Sequence, residues 1–357
     1  MTFPQNLSDL NAVVTGANGF IGQRLISLLL ENGAKPTVVL RSSHGKSALK
    51  KRGVRVVTGG FDASETLVGI LSEADVLFNF AYDVRASKGD NLASFQKLLD
   101  AAQKANIARI VHASSIVVYD DWPSGILNEN SPISTTSGGP YRRAKIEMET
   151  QLEASGLSCA ILQPTLVYGP GSALWTNSLL KGFQSGSVIL PQDLGTCSAV
   201  YVDDVVQCAL RAAVTPDLKC ERFIVSGKAS VSWKDYYEAH QALAGAGDIS
   251  YRANEALWSR LGPDQRDQSP DGQTPSLAAR VSAFGRATIG SRNFEKLVEL
   301  AGKIKPTPSE TYPDRSMMEL LTSKGSCDVT KAADMLGYLP EFDLKEGAAA
   351  IKRSLSR

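Results

Sequence analysis

The sequence predicts an α/β fold: a doubly wound parallel sheet with a smaller C-terminal lobe. Three observations predict it. Short apolar runs alternate with amphipathic helical patterns through the first half of the chain. A glycine triplet joins the first apolar run directly to the first helix. After Pro170 the alternation breaks. Strands in series with helices between them run parallel, and the helices cover both faces of the sheet. A length of 357 residues suits one large domain with a satellite lobe.

Residues 12–14 form the first strand. Residues 21–30 form the first helix, with Leu25, Leu28 and Leu29 on its apolar face and Asn32-Gly33 as its stop signal. Strands are expected at 37–40, 54–57, 76–80, 109–113 and 159–162, with helices at 92–105 and 141–153. Beyond Pro170, residues 202–213 read as a helix and 222–225 as a strand. The segment 261–276 is rich in Pro, Gly, Asp, Gln and Ser and reads as a long loop. Residues 278–300 have helical periodicity broken by Gly285 and Gly290.

Composition narrows the function. The chain is 43% hydrophobic and 21% charged, ordinary for a globular enzyme, and its net charge of +1 offers nothing to nucleic acid or an anionic membrane. The five cysteines (159, 197, 208, 220 and 327) are dispersed, which fits a reducing compartment rather than a disulfide framework. His44, His112 and His240 lack metal-ligand spacing, so no metal is expected. No run of eighteen apolar residues occurs, and the glycine motif comes too early for a cleaved leader. A soluble, cytoplasmic protein is the expectation.

The glycine turn is Val13-Val14-Thr15-Gly16-Ala17-Asn18-Gly19-Phe20-Ile21-Gly22. Gly16 permits the tight turn, Gly19 lets backbone amides approach a phosphate, and Gly22 lets the helix pack closely on the strand. The helix N-terminus then stabilises diphosphate charge. A ligand-free turn is the plainer reading, but the strand before and the helix after favour a Rossmann-type dinucleotide site. Thr15, Gly16, Asn18, Gly19, Phe20, Ile21 and Gly22 are its candidate residues. At the end of the second strand, where an NAD site usually carries a carboxylate, stands Arg41-Ser42-Ser43. A guanidinium there pairs with a 2′-phosphate, so NADP is favoured, with NAD as the alternative and a solvated Arg41 as the plain one. Asp62, after the third strand, is placed to accept from the adenine amino group.

Tyr141 and Lys145 lie one helical turn apart in Tyr141-Arg142-Arg143-Ala144-Lys145. An ammonium beside a phenol favours phenolate and lowers the Tyr pKa, which suits proton exchange during hydride transfer. Alone, the pair could be an ordinary surface pair. Upstream, however, Ser114-Ser115 closes the strand 109–113, at the edge that faces the ligand crevice of such sheets. A serine hydroxyl there can polarise a carbonyl.

The order of these motifs resembles the extended short-chain dehydrogenase/reductase family, the NAD(P)-dependent epimerase/dehydratase group, over nearly the whole chain. Thr15–Gly22 resembles TGxxGFIG, and Phe80-Ala81 its cofactor loop, where Tyr82 replaces a usually small residue. Gln163-Pro164-Thr165-Leu166-Val167-Tyr168-Gly169-Pro170-Gly171 resembles the segment beside the nicotinamide, which implies cofactor contacts at Phe80, Ala81, Pro164 and Val167. Tyr201-Val202-Asp203-Asp204-Val205 resembles the hinge into the next helix, Glu149 the acidic residue after YxxxK, and 331–340 the terminal pattern. The resemblance implies Tyr141 as general acid/base, Lys145 as the group that lowers its pKa and holds the nicotinamide ribose, Ser115 as partner of the reacting oxygen, and Asn91 as support for the proton relay. It also implies a homodimer through the helices 92–105 and 141–153.

Departures from the family pattern narrow the reaction. Ile116 and Val117 stand where 4,6-dehydratases carry an Asp-Glu pair. Gly195-Thr196-Cys197-Ser198-Ala199 lacks the Arg that many nucleotide-sugar enzymes place before the hinge. The leading expectation is an NADP-dependent oxidoreductase interconverting a carbonyl and a secondary alcohol. The alternatives are a nucleotide-sugar epimerase and a non-catalytic NADPH sensor, which would normally have lost Tyr141 or Lys145. Apolar Leu174, Trp175 and Trp258 would suit a less polar substrate, or simply pack the lobe. The expected division is 1–170 as cofactor domain, with 200–228 returning to it, 171–199 and 229–327 as substrate lobe, and 328–357 as a C-terminal segment.

Overall fold

The computed structural model describes residues 7–62, 64–261 and 309–356. The expected helix over 278–300 and nearly all of the loop over 261–276 lie outside the described residues. The first strands and helices alternate as β1 (Ala12–Thr15), α1 (Phe20–Glu31), β2 (Thr37–Leu40), α2 (Lys46–Lys51), β3 (Arg55–Thr58), α3 (Ser64–Ser72), β4 (Val76–Asn79), α4 (Lys88–Lys104) and β5 (Ile110–Ala113). After a short β6 (Ile126–Leu127) come α5 (Pro140–Ala154) and β7 (Cys159–Pro164).

The central sheet has seven parallel strands in the order Cys220–Val225, β7, β5, β4, β1, β2, β3. Its middle strands are buried throughout, which is why they read as continuous apolar runs rather than alternating ones. Helix α1 and the helix Val202–Val214 cover one face, with Leu25, Leu29 and Val206 in that core. Helices α3, α4 and α5 cover the other, with Leu71, Leu98 and Leu152. Two strand successions diverge from β1, one through β2 and β3 and one through β4, β5 and β7. Their crevice opens at the carboxyl ends of β1 and β4, the usual ligand position of a doubly wound sheet.

Some boundaries differ from the sequence expectation for local reasons. Helix α4 begins at Lys88 because the Ser87 hydroxyl caps it, accepting from the Asp90 N–H at 3.1 Å. Asn91 therefore sits in its first turn. Helix α5 begins at Pro140, whose fixed φ suits a first helical position. The short helices α2 and α3 were not anticipated. Nor was a three-stranded parallel sheet in the order Asp248–Arg252, Gly186–Pro191, Ser309–Thr311. The C-terminal chain packs back on the core: the Tyr338 hydroxyl donates to the Ser226 carbonyl at 2.7 Å, and the Asp204 carboxylate accepts from the Glu341 and Phe342 N–H groups. Among the described residues, no helix is long and apolar enough to cross a membrane.

Candidate active site

A cavity of about 540 Å³, in the range of small-ligand sites, opens at the crevice. Of the residues singled out in the sequence, Thr15, Gly16, Asn18, Gly19, Arg41, Asp62, Phe80, Ala81 and Asn91 form its wall. Gly16 has φ +72°, and a Cβ there would lie 2.3 Å from the Phe80 carbonyl oxygen, so β1 and the β4 loop meet at a distance only glycine allows. A Cβ on Gly22 would lie 2.2 Å from the Gly16 carbonyl oxygen, which holds α1 close against the turn. Gly19 caps α1 without a side-chain hydrogen bond, and the first turn of α1 carries no acidic residue. The positive end of this helix dipole is therefore uncompensated at the cavity wall. That geometry fits a dinucleotide diphosphate. Phe20, Ile21 and Gly22 lie in α1 behind the wall.

The wall is braced by polar contacts across the sheet. The Thr15 hydroxyl donates to Asn79 Oδ1 at 2.7 Å, and Asn79 Nδ2 meets His112 Nδ1 at 3.0 Å. Asn18 Nδ2 donates to the His44 carbonyl at 3.0 Å, tying the glycine turn to the loop after β2. From the end of β2, Arg41 extends into solvent, and its Nη1 donates to Asp83 Oδ2 at 2.8 Å. Arg85 Nε donates to the other oxygen at 3.2 Å. Ser42 lies off the wall, its hydroxyl accepting from the His44 N–H at 3.4 Å. Asp62 is paired with Lys97 at the rim.

The Ser, Tyr and Lys singled out in the sequence lie beyond this cavity. Ser115 follows β5, while Tyr141 and Lys145 occupy the first two turns of α5. A hydrogen bond joins the Ser115 and Tyr141 side chains. Burial pushes the Tyr141 phenol above its ordinary pKa, and the Ser115 bond opposes that shift. Lys145 is only 3% exposed, and its Nζ donates to the Ala113 carbonyl at 2.6 Å. Burial pulls its ammonium from 10.5 to about 8, against the pull of Glu149. The Lys145 Nζ lies 5.8 Å from the Tyr141 ring centre and 4.9 Å from that of Tyr82. Tyr141 therefore holds its proton at neutral pH.

Asn91 does not join this group. Its Oδ1 accepts from the Asp83 N–H at 2.9 Å, and its Nδ2 donates to the Asp83 and Ser87 carbonyls. It clamps the loop after β4. Pro164 ends β7 and Val167 lies in the strand Leu166–Tyr168; neither reaches the cavity wall.

Ser114 and Ser115 point to different tasks. The Ser114 hydroxyl is bonded to the Glu149 carboxylate. Glu149 is fully buried and also accepts from Gln163 Nε2 at 3.1 Å and Arg222 Nε at 2.8 Å. This network fastens α5 to three strands of the sheet, setting the height at which Tyr141 and Lys145 stand. Sequence reasoning missed Asn79, Asp83 and Arg85. Asn79 meets Thr15 only through the β1–β4 register, 64 positions away, so no local pattern announces it.

Comparisons with known proteins agree with this geometry. A ketoreductase of 4-hydroxy-2-methyl-3-oxo-4-farnesyl-3,4-dihydroquinoline-1-oxide from Stigmatella aurantiaca is 24% identical over 83% of this chain and 93% of its own length. A UDP-glucose 4-epimerase from Mycolicibacterium smegmatis is 30% identical over 66% of this chain and 82% of its own. Among solved structures, MoeE5 in complex with UDP-glucose and NAD superposes with a TM-score of 0.66 at 20% identity, covering 97% of this chain and 99% of that one. UDP-N-acetylglucosamine 4-epimerase from Bacillus cereus does so with 0.67 at 15%, covering 98% and 100%. These structures share the fold. The sequence profile of the NAD dependent epimerase/dehydratase family matches residues 12–225. The chain therefore belongs to that family and is an enzyme of the extended short-chain dehydrogenase/reductase type.

Proposed function

We propose that this enzyme uses NADP(H) to interconvert a carbonyl and a secondary alcohol. The observation that carries the proposal is the hydrogen-bonded Ser115–Tyr141 pair beside Lys145, just past a cavity lined by the glycine turn and Arg41. Bound there, the dinucleotide would supply or take up hydride. The chain's own groups do the rest. Tyr141, protonated at rest, gives its phenolic proton to the carbonyl oxygen in reduction and takes it back in oxidation. The Ser115 hydroxyl donates to the same oxygen and stabilises the charge that develops on it. Lys145 holds the second ribose. Of the glycine-turn residues, Gly16 and Gly19 carry the diphosphate. The lobe formed by 171–199 and 229–327 would hold the substrate, and the outer faces of α4 and α5 would pack against a second copy.

A 4,6-dehydratase is disfavoured because Ile116 is buried and Val117 half-buried, so no acid–base pair follows Ser115. A nucleotide-sugar epimerase is disfavoured on a separate ground. Cys197 and Ser198, before the hinge, are also buried and offer no cation to a diphosphate. The epimerase reading keeps support from the Mycolicibacterium smegmatis relative. The two differ in stoichiometry: a reductase consumes one NADPH per turnover, whereas an epimerase leaves the dinucleotide unchanged. A panel of ketones and nucleotide sugars, followed at 340 nm and by product analysis, distinguishes them. Tyr141→Phe should lower kcat by about 10²–10⁴-fold while dinucleotide affinity stays within about twofold. Retained turnover in that variant would overturn the mechanism.

A further inference from the structure

Tyr82 separates the cavity from the reacting groups. Its ring forms part of the cavity wall, whereas Ser115, Tyr141 and Lys145 do not. It stands edge-on to Tyr141, with ring centres 5.0 Å apart and planes at 87°. The Lys145 ammonium lies 4.9 Å from the centre of the same ring. With the Ala113 carbonyl accepting a hydrogen bond from its ammonium and Tyr82 beside it, Lys145 is 3% exposed and has no open direction toward a ligand.

The backbone on either side is fixed. The Phe80 N–H donates to the Thr15 carbonyl at 3.3 Å, and the Phe80 carbonyl sits against Gly16. On the other side Asn91 binds both the N–H and the carbonyl of Asp83. Any change at position 82 must therefore come from rotation of the side chain, not from movement of the loop.

We propose that the Tyr82 side chain is a gate over the subsite for the second, nicotinamide-bearing ribose. Its edge-on contact with Tyr141 and its cation–π contact with Lys145 hold it closed, and it swings aside when that ribose binds. Tyr82 is thus a positioning residue that acts through Lys145. This rests on the reading that Lys145 holds the second ribose. Binding becomes a two-part event: the adenosine diphosphate end docks in the open cavity, and the ribose then displaces the ring.

Calorimetric binding of ADP and of ADP-ribose, which carries the second ribose without any redox chemistry, tests the gate. Tyr82→Ala should bind ADP-ribose about tenfold more tightly, the worth of the contacts that hold the ring, and ADP within about twofold of the parent. Tyr82→Phe keeps the ring and should match the parent with both ligands. Equal changes for ADP and ADP-ribose, or none for either, overturn the gate. Adding Lys145→Met in the Tyr82→Ala background tests the underlying reading separately. Loss of ADP-ribose affinity alone upholds Lys145 as the ribose ligand, even if the gate has failed. No loss removes that reading and the gate with it.

Discussion

Replacing Lys145 by Met should abolish turnover and yet stabilise the ligand-free protein at neutral pH. Burial takes the ammonium from its ordinary 10.5 to about 8. At about 1.4 kcal/mol per pH unit, that drop is worth about 3 kcal/mol. The unfolded chain holds the proton more tightly than the folded one. The cost to folding is therefore full below pH 8 and disappears as the pH rises past 10.5. Methionine keeps the length and apolar volume of the side chain but loses the bond to the Ala113 carbonyl, which returns about 1 kcal/mol. The net gain at pH 7 is about 2 kcal/mol. His112 is buried, with its pKa pushed well down by burial and by Lys145, so it affects stability only where the unfolded imidazole titrates, below the window used here. Burial pushes the Cys197 and Cys208 thiols up, which weakens the fold as the pH climbs. The cysteine contributions are common to parent and variant and cancel in their difference, while the His112 contribution, which Lys145 helps to set, falls below that pH range. Urea unfolding at intervals from pH 7 to 10 should show the gap closing to near zero at the top of that range. A variant no more stable than the parent at pH 7, or a gap that does not change with pH, would refute the reasoning.

Two further outcomes follow from the cofactor end. Gly16→Ala forces a side chain into a left-handed backbone and against the Phe80 carbonyl, so it should cost about 2–4 kcal/mol in urea unfolding and remove ADP binding. A soluble variant with unchanged ADP affinity would mean that the turn is not the diphosphate seat. Arg41→Glu should weaken NADPH binding by about 30- to 100-fold and NADH binding far less, measured by cofactor fluorescence. Since Asp83 is also held by Arg85, the loop should keep its shape in this variant. Equal losses for both cofactors would transfer the choice of dinucleotide to other residues.

Much of the fold was legible because its signals are local. A glycine triplet between a strand and a helix, or a Tyr and a Lys one turn apart, can be read without knowing what lies across the sheet. The central strands were found because burial on both faces makes them uniformly apolar. The lobe was harder. Asp248–Arg252 is polar and mostly exposed, and it becomes a strand only through pairing with Gly186–Pro191, some sixty positions earlier. The spacing of Tyr141 and Lys145 does not report desolvation, which raises the pKa of the phenol and lowers that of the ammonium here.

The sequence alone therefore determined the doubly wound sheet, the glycine turn at its switch point and the three side chains that follow it. Each depends on residue type at short range. Only the tertiary structure decided how they are connected. Asn91 turns out to clamp a loop, Glu149 to anchor α5 through Ser114, Gln163 and Arg222, and Tyr82 to stand between the cavity and Lys145. Those relations join residues far apart in the chain, and they exist only once the strands are in register and water has been excluded from between them.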